Sequence, residues 1–280
     1  MRILFIAAHA DDIEVACPNT VKMFIDRGDE VMMALATCDE YAWLYGKQRS
    51  EFKGARQAQI RINEMNRVAR AYGIDAHGMP HLNLHWLGWI DGYVPLTRDA
   101  FKKMCSYLTR VDADIVFAPD GYFSQDHHND HDNTGLLACI ACMSLKRRPL
   151  LFLWQSWKND TYFPVRKPSF TFIPVYGHAT QFPRQRLFVK FAKVFWWILV
   201  TLRRARSDGI LAEAFRKVTF LPGENVPLSI KDRIKHTLSR KLMAGPPRSI
   251  YLPEPTSLGL HVDNEIVYEN WFDYKSRKPR

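Results

Sequence analysis

The chain has 280 residues, of which 47% are hydrophobic, 24% charged and 13% aromatic. That composition excludes disordered and collagen-like chains and is ample for one large domain, or one domain with an appendage. The formal charge of +10 is unevenly placed: residues 1–180 carry 20 Lys and Arg against 20 Asp and Glu, and residues 181–280 carry 19 against 9.

The opening ILFIAA is a short apolar run rich in branched residues, as expected of a strand buried on both faces. Thr20 to Arg27 reads as a helix stopped by Gly28, and EVMMALAT (Glu30 to Thr37) as a second buried strand. A long helix is expected from about Phe52 to Tyr72, where Ile62, Met65, Val68, Ala69 and Tyr72 recur at three- and four-residue spacing before Gly73. Residues 74–95, rich in Gly, His and Trp, read as a loop. Arg98 to Arg110 is expected to be helical and DIVFA (Asp114 to Ala118) to be another buried strand. Strand and helix alternating from the first residue predict an α/β fold with a mainly parallel sheet and helices on both faces. Ligands in such sheets bind beyond the C-terminal ends of the strands.

The second half is less regular. Arg184 to Arg206 has an apolar centre, Val194 to Leu202, between flanking cations, and six prolines fall within residues 222–255. The expected division is a core over residues 1–180 and a basic C-terminal lobe over 181–280, packed on the core. The five cysteines are an odd, thinly spread set, read as reduced thiols, with Cys139 and Cys142 on a buried helix. No run of uninterrupted apolar residues reaches the ~18–20 of a membrane-spanning helix. The N-terminus lacks the longer apolar stretch of a secretory signal. The location expected is cytoplasmic, with the basic lobe turned toward an acidic partner such as a phosphate-bearing substrate or an anionic membrane surface, and no nucleic-acid partner.

Two clusters carry chemistry. The first, His9-Ala10-Asp11-Asp12-Ile13-Glu14, follows the first strand; the second, Asp126-His127-His128-Asn129-Asp130-His131, follows DIVFA by eight residues. Imidazole and carboxylate together suit zinc, although such sites accept other divalent ions, and a catalytic zinc takes three protein ligands and keeps one position open. Neighbouring parallel strands would bring both clusters to one sheet edge, with His9 and Asp12 chelating from one loop and His131 from the other. That leaves Asp11 as the candidate general base toward a water. His128 is one turn from His131 if a helix opens there. Either Asp130 or Asp126 is placed to pair with His128 and hold it protonated.

AHADDIE followed by Thr20 resembles the zinc-binding signature of the PIG-L / LmbE-like deacetylases, and DHHNDH resembles that family's His-x-Asp-His motif. RINEMNRVARAYGI (Arg61 to Ile74), His178-Ala179-Thr180-Gln181 and SDGILAEAF (Ser207 to Phe215) are similar to further family segments in the same order. The resemblance implies a Rossmann-like domain and hydrolysis of an N-acetyl group, usually from an N-acetylglucosamine unit. It also implies His9, Asp12 and His131 as zinc ligands, Asp11 as base, His128 as oxyanion stabiliser or acid, and Asp130 as its orienter. Arg61 would contact the sugar by the same resemblance; the alternative is a surface pair with Glu64. Asp91 is a candidate acceptor for a sugar hydroxyl or an ordinary Asp-Gly turn, and His178 a candidate contact from the second half. Trp86 and Trp89, with His81 and His85, could line a sugar pocket. The chain departs from the family at Pro18-Asn19, where glycines are usual, so a reshaped pocket floor is expected.

Residues 184–206 read either as an interfacial helix on an anionic membrane or as a core or dimer helix, so homo-oligomers are open. Two other functional readings compete. One is a metallo-β-lactamase-type hydrolase built on the Asp126-x-His128-x-Asp130-His131 loop. The other is a non-catalytic carbohydrate- or membrane-binding module.

Overall fold

The computed structural model describes residues 1–41, 54–125, 128–165 and 212–220, with 230, 231 and 234. The elements are β1 (Arg2–Ala7), α1 (Asp12–Ala16), α2 (Pro18–Asp26), β2 (Glu30–Thr37), α3 (Ala55–Tyr72), β3 (Leu82–Trp89), α4 (Arg98–Val111), β4 (Ile115–Pro119), α5 (Asn129–Ser144), β5 (Leu150–Trp154), β6 (Thr161–Pro164) and β7 (Ala212–Val218). Seven strands form one sheet in the order β3-β2-β1-β4-β5-β7-β6. The first five are parallel; β7 runs antiparallel to both β5 and β6.

Strand periodicity divides the core into two layers, as the apolar runs predict. Ile3, Phe5 and Ala7 of β1 point to one face, with Ile13, Val21, Phe24, Met65, Val68 and Tyr72 from α1, α2 and α3. Leu4 and Ile6 point to the other, against Met104, Leu108, Leu137 and Ala141 from α4 and α5. Alternate residues of one strand thus feed two cores, which is why the run shows no polar alternation. The Phe5 and Phe117 rings stack across β1 and β4 with centroids 4.5 Å apart.

The stretch 74–95, expected to be a loop, contains β3. Its burial is incomplete because it is the edge strand of the sheet, so its sequence lacks the continuous apolar run that marks an interior strand. Trp89 is buried in the α4-side core, not on a pocket wall. Residues 212–218, expected in the C-terminal lobe, are a strand of the main sheet: they pair with β5 and bury Phe215 completely. That pairing is non-local and leaves no periodic signal near residue 180. No helix among the described residues is long and apolar enough to cross a membrane. Asp126, His127, His178 and residues 184–206 lie outside the described residues.

One packing detail places the second cluster. A Cβ at Gly135 would stand 2.2 Å from the Pro119 carbonyl oxygen, and a Cβ at Gly121 would stand 2.4 Å from the Asp132 carbonyl oxygen. Glycine at both positions lets α5 close directly onto the end of β4. His131 lies one turn before Gly135 and is fixed by that contact.

Candidate metal centre

In the order β3-β2-β1-β4-β5 the chain reverses direction across the sheet between β1 and β4, and a crevice opens beyond their C-terminal ends. His9 leaves the end of β1, and His128 and His131 open α5 after β4, so the two sequence clusters meet in this crevice.

His9 Nδ1 and His131 Nε2 are 3.0 Å apart. Asp12 Oδ1 is 3.0 Å from His131 Nε2 and 3.7 Å from His9 Nδ1. Bonds of 2.0–2.1 Å to a tetrahedral ion would separate its ligand atoms by about 3.3–3.4 Å, so these spacings fit a tetrahedral zinc-type centre. All three side chains are buried. The other oxygen of Asp12 accepts the backbone N–H groups of Ala8 and His9 at 2.9 and 2.8 Å, which folds the loop after β1 around the carboxylate.

The electrostatics fit a cation as well. Burial disfavours a charged His9, but Asp12, Asp130 and Asp91 outweigh it and raise His9 well above the usual imidazole range. Burial likewise opposes ionisation of Asp12, yet the His131 and His9 rings hold it well below the usual carboxylate range. Positive charge is favoured at the point where the donor atoms converge.

His128 caps α5: its Nδ1 accepts the Asp130 N–H at 3.3 Å. Its ring centroid lies 4.8 Å from that of His9 and 5.4 Å from that of His131. The ring edge is exposed, but crowding by protein atoms and the neighbouring His9 charge lower its pKa, and the neutral tautomer presents Nε2–H. The expected Asp130–His128 pair that would keep the ring protonated is absent. The Asp130 carboxylate instead accepts Gly92 N–H and Val94 N–H and lies 3.3 Å from His9 Nε2. The N-cap geometry turns the Asp130 side chain inward, away from the His128 ring. Donor atoms of His9, His128 and His131 also fall within 4.8 Å of one another, so His128 is near enough to be tested as a ligand.

Asp11 is the N-cap residue of α1, and its side chain keeps 29% exposure where Asp12 keeps 6%. Arg61 is not at the surface. Its side chain is 1% exposed and reaches three carboxylates: Asp11 Oδ2 through Nη2 at 3.1 Å, Glu64 Oε2 through Nη1 at 2.8 Å, and Asp39 through Nε. The Glu64 pair exists as the spacing predicts, but it is buried within α3 and not on the surface.

Asp91 is also turned inward. It is 5% exposed, with Oδ1 3.1 Å from His9 Nε2 and Oδ2 accepting Tyr41 N–H at 2.9 Å. Its sequence context, an Asp-Gly after an edge strand, carries no trace of this. A further residue that sequence reasoning passed over is Glu213 of β7. Its carboxylate accepts Asn19 N–H, Asn19 Nδ2–H, Thr20 N–H and the Thr20 hydroxyl at 2.6–2.9 Å. The side chain standing in place of a family glycine at residue 19 is therefore taken up by β7, and Pro18 occupies the first turn of α2 where a proline is tolerated. The Ala-Glu-x-Phe stretch was the available signal. The metallo-β-lactamase-type alternative gave His9 and Asp12 no role; both converge on His131, and that reading falls.

The curated diacetylchitobiose deacetylase of Thermococcus kodakarensis is 27% identical over 140 residues, 50% of this chain, which spans only about half (48%) of that relative's length. Among solved structures, the N,N′-diacetylchitobiose deacetylase of Pyrococcus horikoshii superposes with a TM-score of 0.64 at 22% identity, covering 78% of this chain and 84% of that one. The 4-carboxy-2-hydroxymuconate hydratase of Pseudomonas putida KT2440 gives 0.59 at 14% identity, covering 81% and 99%. These likenesses establish the fold, and the fold alone hosts different reactions. Residues 4–142, about half of the chain, match the family model described as PIG-L: GlcNAc-PI de-N-acetylase, and that stretch holds both His/Asp clusters: the chain belongs to the PIG-L family.

Proposed function

We propose that this protein is a metal-dependent hydrolase that removes the N-acetyl group from an N-acetylglucosamine-type amino sugar. The observation that carries the reading is the convergence of His9 Nδ1, Asp12 Oδ1 and His131 Nε2 within 3.0–3.7 Å of one another. Support comes from the family's description and from the deacetylase name of the curated relative.

A divalent cation, zinc by this donor set, supplies a Lewis acid for the amide carbonyl and lowers the pKa of water. His9, Asp12 and His131 would hold it. Asp11 takes the proton of the attacking water, since it is the acidic side chain of the first cluster left with solvent access, and returns it to the amine nitrogen as the C–N bond breaks. Arg61 holds Asp11 by one oxygen and so fixes its orientation. His128, neutral with Nε2–H presented, donates a hydrogen bond to the oxyanion that forms as the carbonyl carbon becomes tetrahedral. Asp130 orients His9 and not His128. A binding module has no use for a base beside a metal, which favours the enzyme. The surplus of cations in residues 181–280 favours a sugar bearing phosphate, a nucleotide diphosphate or a lipid phosphate.

The test is metal content of the purified chain beside His9→Ala, Asp12→Ala and His131→Ala, followed by acetate release from N-acetylated sugars. About one zinc per wild-type chain, lost from all three variants, is expected. Metal that survives loss of His9 and Asp12 would sink the assignment. His128→Ala separates the remaining ligand choice: it should keep the metal and lose turnover.

A further inference from the structure

The loop after β3 does more than close a turn. Tyr93 N–H donates to Ile90 O at 3.0 Å, and Gly92, the third residue of that turn, has φ +82°, a conformation that favours glycine. The turn aims Gly92 N–H and Val94 N–H at the Asp130 carboxylate. It also sends the Asp91 carboxylate to His9, while Asp91 N–H donates to Glu40 Oε1 at 3.1 Å. One loop therefore places two carboxylates on one nitrogen: Asp91 Oδ1 at 3.1 Å and Asp130 Oδ2 at 3.3 Å from His9 Nε2.

A neutral imidazole has one N–H. With that proton held on Nε2 between two carboxylates, the lone pair is left on Nδ1, the atom that faces Asp12 and His131. The ring cannot flip without exchanging these contacts for unmatched ones in a buried site. Asp130 is the more distant of the two acceptors, and its charge is divided between two backbone donors as well. Asp91 is the nearer one and reaches His9 from a different element.

We propose that Asp91 is a positioning residue for the metal centre, fixing His9 in the tautomer and orientation that present Nδ1 to the ion. The assignment rests on the metal reading above. Both of its oxygens are engaged inward, on His9 and on Tyr41 N–H. A carboxylate behind a ligating histidine orients the ring and raises its basicity, and loss of such a partner typically weakens metal affinity about 10–100-fold.

The experiment is a Zn2+ titration of the metal-free full chain against a competing chelator, for wild type, Asp91→Asn and Asp91→Glu, with thermal denaturation of each metal-free protein to verify folding. The visible absorption of the Co2+-loaded proteins gives a second readout, sensitive to the ligand geometry. The dissociation constant for Zn2+ should rise about 10–100-fold in Asp91→Asn, with an altered Co2+ spectrum, and Asp91→Glu should recover part of the affinity. Unchanged Zn2+ affinity in a folded Asp91→Asn with a raised KM for an N-acetylated sugar would make Asp91 a substrate contact and overturn the assignment. If Asp91→Asn does not fold, Asp91→Glu decides: affinity equal to wild type overturns the assignment, and weakened affinity with a shifted Co2+ spectrum upholds it. A wild-type chain that takes up no Zn2+ overturns the metal reading itself, and this assignment with it.

Discussion

Asp11 and Asp12 are neighbours in sequence with opposite surroundings, and that difference separates their roles. Asp12 is enclosed by two rings and two backbone N–H groups; Asp11 keeps solvent access and one guanidinium contact. Asp11→Asn should retain metal, measured by elemental analysis, and lower kcat about 10²–10⁴-fold, the usual share of a general base. Arg61→Ala should be more damaging to the fold than to any one contact, because Asp39 and Glu64 would remain buried beside an empty place. A loss of about 3–5 kcal/mol is expected in chemical denaturation. Glu14 offers a pH signature. Burial raises its carboxyl from 4.5 to about 8, against the weaker pull of its own backbone, with Asp11 and Asp12 adding to the rise. Between those values the native chain holds a proton that the unfolded chain releases. The stability that Glu14 contributes to the metal-free protein is thus fully present below about pH 4.5, falls through that window by about 1.4 kcal/mol per pH unit, and is lost above about pH 8. Glu14→Gln should remove that share of the slope in denaturation curves taken across the window, while Glu40 and Asp39, whose carboxyls burial also raises, to about 8 and about 7, keep theirs.

At the scale of elements, the site depends on how α5 meets β4. Gly135 is the close-approach residue, and a methyl group there has only backbone to push against. Gly135→Ala is expected to cost about 1–3 kcal/mol and to shift the first turn of α5, carrying His131 with it. A lower melting temperature together with weaker Zn2+ retention would show both effects. A stability loss with unchanged retention would show that the helix start is held by Asp130 instead. The N-terminal half of this architecture was readable beforehand. β1, β2 and β4 are apolar runs because both faces are buried, and α3 and α4 show helical spacing because one face is. β3 escaped notice because an edge strand half open to solvent has neither pattern. β7 escaped because its neighbour in the sheet, β5, is some sixty residues away in the chain, and pairing at that distance depends on tertiary packing and not on local sequence.

For the molecule as a whole, β7 carries the sheet beyond residue 180. It covers the edge of β5, buries Phe215 and sends Glu213 to the start of α2, next to the first His/Asp cluster. A chain ending at residue 180 would keep every residue of both clusters yet leave Asn19 and Thr20 without their carboxylate and β5 with an open edge. Such a fragment should lack a cooperative melting transition by circular dichroism; a fragment that melts like the full chain would show that β7 is dispensable.

The sequence by itself determined the parallel α/β plan, the two His/Asp clusters and their meeting at one edge of the sheet. Those features are written in short-range terms: apolar runs bounded by turns, and metal-ligating residues placed directly after strands. The tertiary structure decided what each side chain in the clusters faces. From spacing alone, Arg61 reads as a sugar contact or a surface pair with Glu64, Asp91 as a hydroxyl acceptor or a turn residue, and Asp130 as a partner of His128. Burial decides which partners each one has within the chain, because a charged group removed from water must find opposite charge or hydrogen bonds within reach. For Arg61 these are Asp11, Asp39 and Glu64, and for Asp91 and Asp130 they include His9. Those partners lie on other loops and helices, and only the folded chain brings them together.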